Sequence, residues 1–387
     1  MIDNDTAQLQ NSQSAYLDFY QDNGISPVRQ DLQDIDLHYK RRKYLYHYLG
    51  IPERYMVDRN IIEFGPGTGH NALYIMSLNP KNYTFVDGNT VSLDTCKKNI
   101  ELYFPDQTKS QYVYSRIEDF VTPEKYDLVL CEGVITHQPK PELFARHIAN
   151  YAETGGVTVL TTIDYVSVLA EVLRRAMCVF LVDGAASIDD KVLKLTQVFK
   201  GHLDTLPGMS RLHEDFILDN MIHPWKNRIF SIADAIDALH DQHDVLGASP
   251  KIFSDWRWYK TIGISDISIN EQAVNSYSKA AINFIDYRVD DIVIDENAFH
   301  EIQRYCEAVY WEVVESTQSW SMGNYMKIRQ ACLHIRKLLG DSTPLTVKSL
   351  DEAIGFFQNP TMEFNLNTDY FKSWFGRGQQ YLSFVRR

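Results

Sequence analysis

Residues 61–76 read IIEFGPGTGHNALYIM, an apolar run that breaks at three glycines on alternate positions and then turns to helical spacing. A glycine-rich turn between a strand and a helix carries a nucleotide-like ligand on its backbone, and the glycine spacing separates the ligand classes. Here the spacing is Gly65-x-Gly67-x-Gly69. The dinucleotide fingerprint needs GxGxxG, so the third glycine comes one place too early. No GK[ST] follows, which removes a Walker-type nucleotide triphosphatase, and Pro66 deletes a backbone donor that a phosphate cradle would use. Glu63, two residues before the first glycine, would repel a pyrophosphate but attract an ammonium group.

Outward from this loop, short β-rich runs alternate with helical ones. The runs are NIIEF (60–64), NYTFVD (82–87), QYVYS (111–115), YDLVLCE (126–132) and GVTVLTT (156–162), with helices expected near 70–78, 91–102 and 141–152. Such alternation predicts a parallel sheet covered on both faces, the doubly wound α/β architecture. From Val166 to Arg228 the pattern is helical, followed by a helix at SIADAIDALH (231–240). HDVLGASP and WRWYKTI then read as a closing strand pair. Beyond Asp266 helical periodicity dominates. The expected organisation is an N-terminal arm (1–35), an α/β domain (36–165 and 229–265), a helical lid insertion (166–228) and a C-terminal helical domain (266–387).

Asp87 closes the second β-rich run, 24 positions after Glu63, where a neighbouring parallel strand would present an acceptor to a ribose diol. A ligand with ribose hydroxyls, an amino-acid ammonium and no phosphate fits S-adenosylmethionine better than NAD. With EFGPGTG followed by FVDGN, RIEDF, YDLVLCEGV and ETGGVTVLTT, the chain resembles the class I S-adenosylmethionine-dependent methyltransferases over about residues 36–165 and 230–263. The resemblance implies a doubly wound, mostly parallel seven-stranded sheet. It implies that Glu63, Gly65, Gly67 and Gly69 hold the methionine part of the cofactor and that Asp87 takes the ribose. Ile117 and Glu118 would lie by the adenine, although SRIEDF departs from the usual acid or amide plus small residue. Cys131, Glu132 and Gly133 would pass under the methionine. S-adenosylhomocysteine would be the product.

Methyl transfer needs alignment of an acceptor lone pair, exclusion of water and, for a hydroxyl acceptor, a base. His137, in the loop after the fourth run, is the candidate base, with a purely structural histidine as the alternative. In the insertion, HEDFILDNMIHPW gathers His213, Asp219, Asn220 and His223, a set suited to a metal, to a polar substrate or to capping short helices. DWRWYK (255–260) reads as core packing, and FGRGQQYLSFVRR as a polar turn that docks the tail or stops a helix.

With 387 residues and 44% apolar content the chain can bury more than one core. A formal charge of −13, with no basic run beyond KRRK (40–43), argues against nucleic acid. Five scattered cysteines without CxxC predict neither zinc nor disulfides, and no metal is expected. The polar N-terminus has no apolar signal core, and VSVLAEVLRRAMCVFLV carries three charges, so a cytoplasmic protein with no membrane partner is expected. The function expected is methyl transfer to a small molecule or metabolite. A protein or RNA acceptor docked by the helical tail, or a non-catalytic cofactor binder, remains open, as does the oligomeric state.

Overall fold

In the computed structural model, residues 9, 15–22, 32–106, 108–182, 187–264, 267–316, 320–360 and 366–387 are described. Seven strands form one sheet: β1 (Asn60–Phe64), β2 (Asn82–Asp87), β3 (Ser110–Tyr114), β4 (Tyr126–Cys131), β5 (Ala152–Ile163), β6 (His243–Ser249) and β7 (Gln379–Arg386). Their order is β3-β2-β1-β4-β5-β7-β6, with β7 antiparallel to both neighbours and the other pairings parallel. This is the doubly wound, mostly parallel seven-stranded sheet of the class I fold.

The central strands read as nearly continuous apolar runs because both of their faces are covered. All six residues of β4 and four of the five in β1 are buried. The helix Thr90–Tyr103 starts where Asn89 turns its side chain to accept from the N–H groups of Val91 and Ser92. The order reverses between β1 and β4, and in such sheets ligands bind at the carboxyl ends of the strands flanking that reversal. Register brings Glu63 opposite Phe85 of β2 and Leu130 of β4, so the ends of β1, β2 and β4 converge.

The strand expected at WRWYKTI does not form; Tyr259–Thr261 is a 3-10 turn. The partner of β6 comes instead from the last residues of the chain. β7 inserts between β5 and β6, burying Gln380, Leu382, Ser383 and Phe384. Ser383 Oγ donates to the carbonyl of Leu49 at 2.6 Å, and Arg386 donates to the carbonyls of Asn150 and Ala152 at 2.9 and 2.7 Å. Gln379–Arg386 of the FGRGQQYLSFVRR segment is thus strand, with Gln380 as a buried polar position within it.

Two compact units divide the chain: Met1–Ile163 with Asn227–Tyr277 and Gln379–Arg387, and Asp164–Lys226 with Ser278–Gly378. The first contains the sheet. In the second the long helices are Leu169–Leu181, Ile188–Leu203, Glu296–Glu315, Met322–Leu339 and Pro344–Gln358. Among the described residues, no helix is long and apolar enough to cross a membrane.

Candidate cofactor and methyl-transfer site

The loop after β1 is built from left-handed backbone. Gly65, Gly67 and Gly69 have φ of +69°, +56° and +75°. Two of them are also required by close approach: a Cβ on Gly65 would lie 2.5 Å from Val134 Cγ2, and one on Gly69 would lie 2.5 Å from Cys96 Sγ. The loop is therefore pressed between the segment after β4 and the helix after β2.

Glu63 and Asp87, at the ends of adjacent strands, are both buried. Tyr83 Oη donates to Glu63 at 2.6 Å. Burial first, and then the charge of Glu132, push Glu63 up to about 7. Asp87 rises to about 6 through burial, against the pull of backbone N–H donors from Asn89, at 2.8 Å, and Gly67. The aspartate therefore ties the glycine loop to the β2 turn. It uses two of the roughly four acceptor positions of a carboxylate in doing so.

Ile117 and Glu118 follow β3 in a 3-10 turn and are buried. Arg116 Nε donates to Glu118 at 3.0 Å, and the ring of His147 is 2.9 Å from the carbonyl of Ile117. Cys131, at the end of β4, is fully buried, which pushes its thiol well up and keeps it from acting as a thiolate. Gly133 has φ of +77° and donates its N–H to Thr161 Oγ1 at 2.7 Å. His137 ends the 3-10 turn Ile135–His137 after β4; its side chain lies outside the described residues.

Glu132 leads to a residue that sequence reasoning missed. Arg42, on the helix Ile35–Tyr48, grips both carboxylate oxygens at 2.6 and 2.9 Å and also donates to Tyr46 Oη at 2.7 Å. Asn71 Nδ2 adds a contact at 3.3 Å. Burial works against the guanidinium charge, yet Glu132 and Tyr46 outweigh it and hold Arg42 well above its ordinary range. A two-point arginine–carboxylate pair fixes orientation as well as charge. Its signal was available: His38, Arg42 and Tyr46 recur every fourth residue and form the buried stripe of an otherwise polar helix. KRRK (40–43) reads only as a short basic run, and that hid it. On the same helix, His38 Nε2 lies 3.0 Å from the carbonyl of His70, whose own ring is lowered to about 4 by burial and by His38.

His213, Asp219, Asn220 and His223 lie in the second unit, from the helix His213–Ile217 through the π-type turn Leu218–Ile222. His213 is 3.8 Å from Asp204, and Arg211 grips Asp219 at 3.1 Å. Asn220 donates to the carbonyl of Phe216 at 3.1 Å. Its own carbonyl accepts from Arg175 at 2.7 Å, and the carbonyl of the buried His223 accepts from the other end of the same guanidinium. Among the described residues, no three His, Cys, Asp or Glu side chains gather as a metal would require.

Residues 37–189 match the family model described as "Methyltransferase domain". A ubiquinone biosynthesis O-methyltransferase of Rickettsia akari is 26% identical over 144 residues, covering 36% of this chain and 50% of that protein. A homologue from Rickettsia bellii is also 26% identical, covering 36% of this chain and 52% of its own length. The chain thus spans about half the length of the curated relatives it matches. Among solved structures, the magnesium protoporphyrin IX methyltransferase of Synechocystis with bound S-adenosylhomocysteine is 14% identical at a TM-score of 0.36, covering 66% of this chain and 95% of that one. An N-methyltransferase of Bradyrhizobium japonicum is 15% identical at a TM-score of 0.31, covering 39% and 74%. The chain carries a methyltransferase domain.

Proposed function

We propose, from the methyltransferase domain at residues 37–189, that this protein transfers a methyl group from S-adenosylmethionine to a small-molecule acceptor and releases S-adenosylhomocysteine. The observation that carries the reading is the pair of buried carboxyls, Glu63 and Asp87, on adjacent strand ends beside the left-handed Gly65–Gly69 loop. Such a pair suits a cation and a ribose diol and opposes a pyrophosphate. When bound, S-adenosylmethionine supplies a methyl group that is already activated, so the protein's task is positioning, desolvation and proton handling.

In this reading Glu63 takes the ammonium group and Asp87 the ribose hydroxyls. The bare backbone of Gly65, Gly67 and Gly69 permits close approach. Ile117 and Glu118 border the adenine, and Cys131, Glu132 and Gly133 form the floor beneath the methionine. Arg42 acts as a positioning residue by fixing the Glu132 carboxylate. His137 accepts the proton of an acceptor hydroxyl, a reaction class supported by the likeness to the ubiquinone biosynthesis O-methyltransferases of Rickettsia. The segment that leaves the sheet after β5, with His213, Asp219, Asn220 and His223, selects the acceptor.

The test is release of S-adenosylhomocysteine from a cell extract split into small-molecule, protein and RNA fractions. Turnover is expected with the small-molecule fraction, and His137→Ala should lose it by roughly a hundredfold while sparing cofactor affinity. Turnover on the protein or RNA fraction alone moves the acceptor class. Tight cofactor binding with release from no fraction ends the enzymatic reading.

A further inference from the structure

Among the described residues between β6 and the helix Ile269–Ala280, there is little regular structure beyond the 3-10 turn Tyr259–Thr261. The DWRWYK aromatics, expected in a core, stand in solvent, Trp256 at 94% exposed, Trp258 at 62% and Tyr259 at 70%, and the aliphatic Ile264 (80%) and Ile262 are exposed as well. Single exposed apolar side chains need no explanation, but a run of five large ones within nine positions does.

Charge narrows what such a run meets. Between β6 and the helix Ile269–Ala280 the sequence carries three cations (Lys251, Arg257 and Lys260) and two carboxylates (Asp255 and Asp266), a local balance of +1 on a chain of −13. Asp255 is held by Arg257 at 2.6 and 3.0 Å. The exposed Lys260 lays its ammonium 5.1 Å from the Trp258 ring centre and 5.8 Å from that of Tyr259. Lys251 is likewise exposed. Tryptophan, tyrosine and an apolar tip beside lysines is the combination that settles at a lipid headgroup layer: rings in the interface, ammonium groups toward phosphates. A two-fold contact between copies would set like charges against one another. Screening over about 8 Å lets the local balance act despite the acidic remainder.

We propose that Trp256, Trp258, Tyr259, Ile262 and Ile264, with Lys251 and Lys260, dock this protein on the surface of an anionic lipid bilayer. This departs from the expectation of no membrane partner and stands independently of the methyl-transfer reading. The test is sedimentation of the full chain with vesicles of phosphatidylglycerol and phosphatidylcholine, against phosphatidylcholine alone. Binding is expected to the anionic vesicles, weakened by salt, with a blue shift of tryptophan emission. Trp256→Ser with Trp258→Ser should lower partitioning about tenfold, and so, separately, should Lys251→Glu with Lys260→Glu. Both pairs are exposed, so the fold is retained. Failure to pellet with either vesicle overturns the proposal, as does equal pelleting of parent and variants. A dimer in sedimentation that the tryptophan variant dissolves, without vesicle binding, assigns the face to a second copy instead.

Discussion

Both units bury charge, but they satisfy it differently. In the second unit Arg174 is fully buried and its guanidinium is saturated by the chain itself. It donates to the carbonyls of Ala170, Phe371, Lys372 and Trp374 at 2.8–3.3 Å, and it lies 3.9 Å from the Phe375 ring centre. Arg175 does the same with the carbonyls of Asn220 and His223 over the Trp225 ring. These cations staple loops that have no ladder of their own. In the first unit the buried charges at the strand ends are acids. Glu63 has Tyr83 as its side-chain donor and sits near 7; Asp87 has two backbone donors and sits near 6. A saturated buried charge is architecture, whereas an under-supplied one keeps capacity for a ligand. Glu171 is the counter-case: it is buried in the second unit and raised to about 7, with the backbone of Gly376 as a donor.

The largest expected effect tests the architectural side. Arg174→Ala should cost about 3–5 kcal/mol in chemical denaturation, because several carbonyls lose their donor at once and a large side-chain volume is vacated. A loss below about 1 kcal/mol would break the comparison. On the ligand side, Asp87→Ala should weaken S-adenosylmethionine by about 1–3 kcal/mol in calorimetry, with a smaller change in stability. Unchanged affinity would remove the ribose assignment.

The smallest effect is also the sharpest. Below its raised value near 7, Glu63 carries a proton and offers an ammonium group no counter-charge; above it, the carboxylate is ionised. Affinity should therefore rise through pH 7, roughly tenfold from pH 6 to pH 8, with proton release on binding below pH 7. Glu63→Gln should flatten that profile. For the protein without ligand the sign reverses. A carboxyl whose folded value is raised loses stability as pH climbs through that value, so Glu63→Gln should melt higher than the parent at pH 8.

The α/β core was readable because its signals are local. Apolar runs of strand length, a three-glycine turn and acids at strand ends are set by residues within a few positions of each other, as in EFGPGTG and FVDGN. β7 was not readable. QQYLSFVR alternates weakly, follows a long helical tract and acquires strand identity from β5 and β6, neighbours separated from it by more than 120 residues of chain. DWRWYK misled in the opposite direction: aromatic content suggests a core, but only packing decides whether rings find one.

Sequence alone determined the order of β and helical segments through β5, the place of the three-glycine turn, and the acids at the ends of β1 and β2, since each follows from backbone sterics and periodicity over short spans. Tertiary structure decided which distant segment closes the sheet and that Arg42 would meet Glu132 across 90 residues. It also decided which buried charges are fully supplied with partners. Those outcomes depend on long-range contacts and on the loss of solvent, which no local stretch encodes.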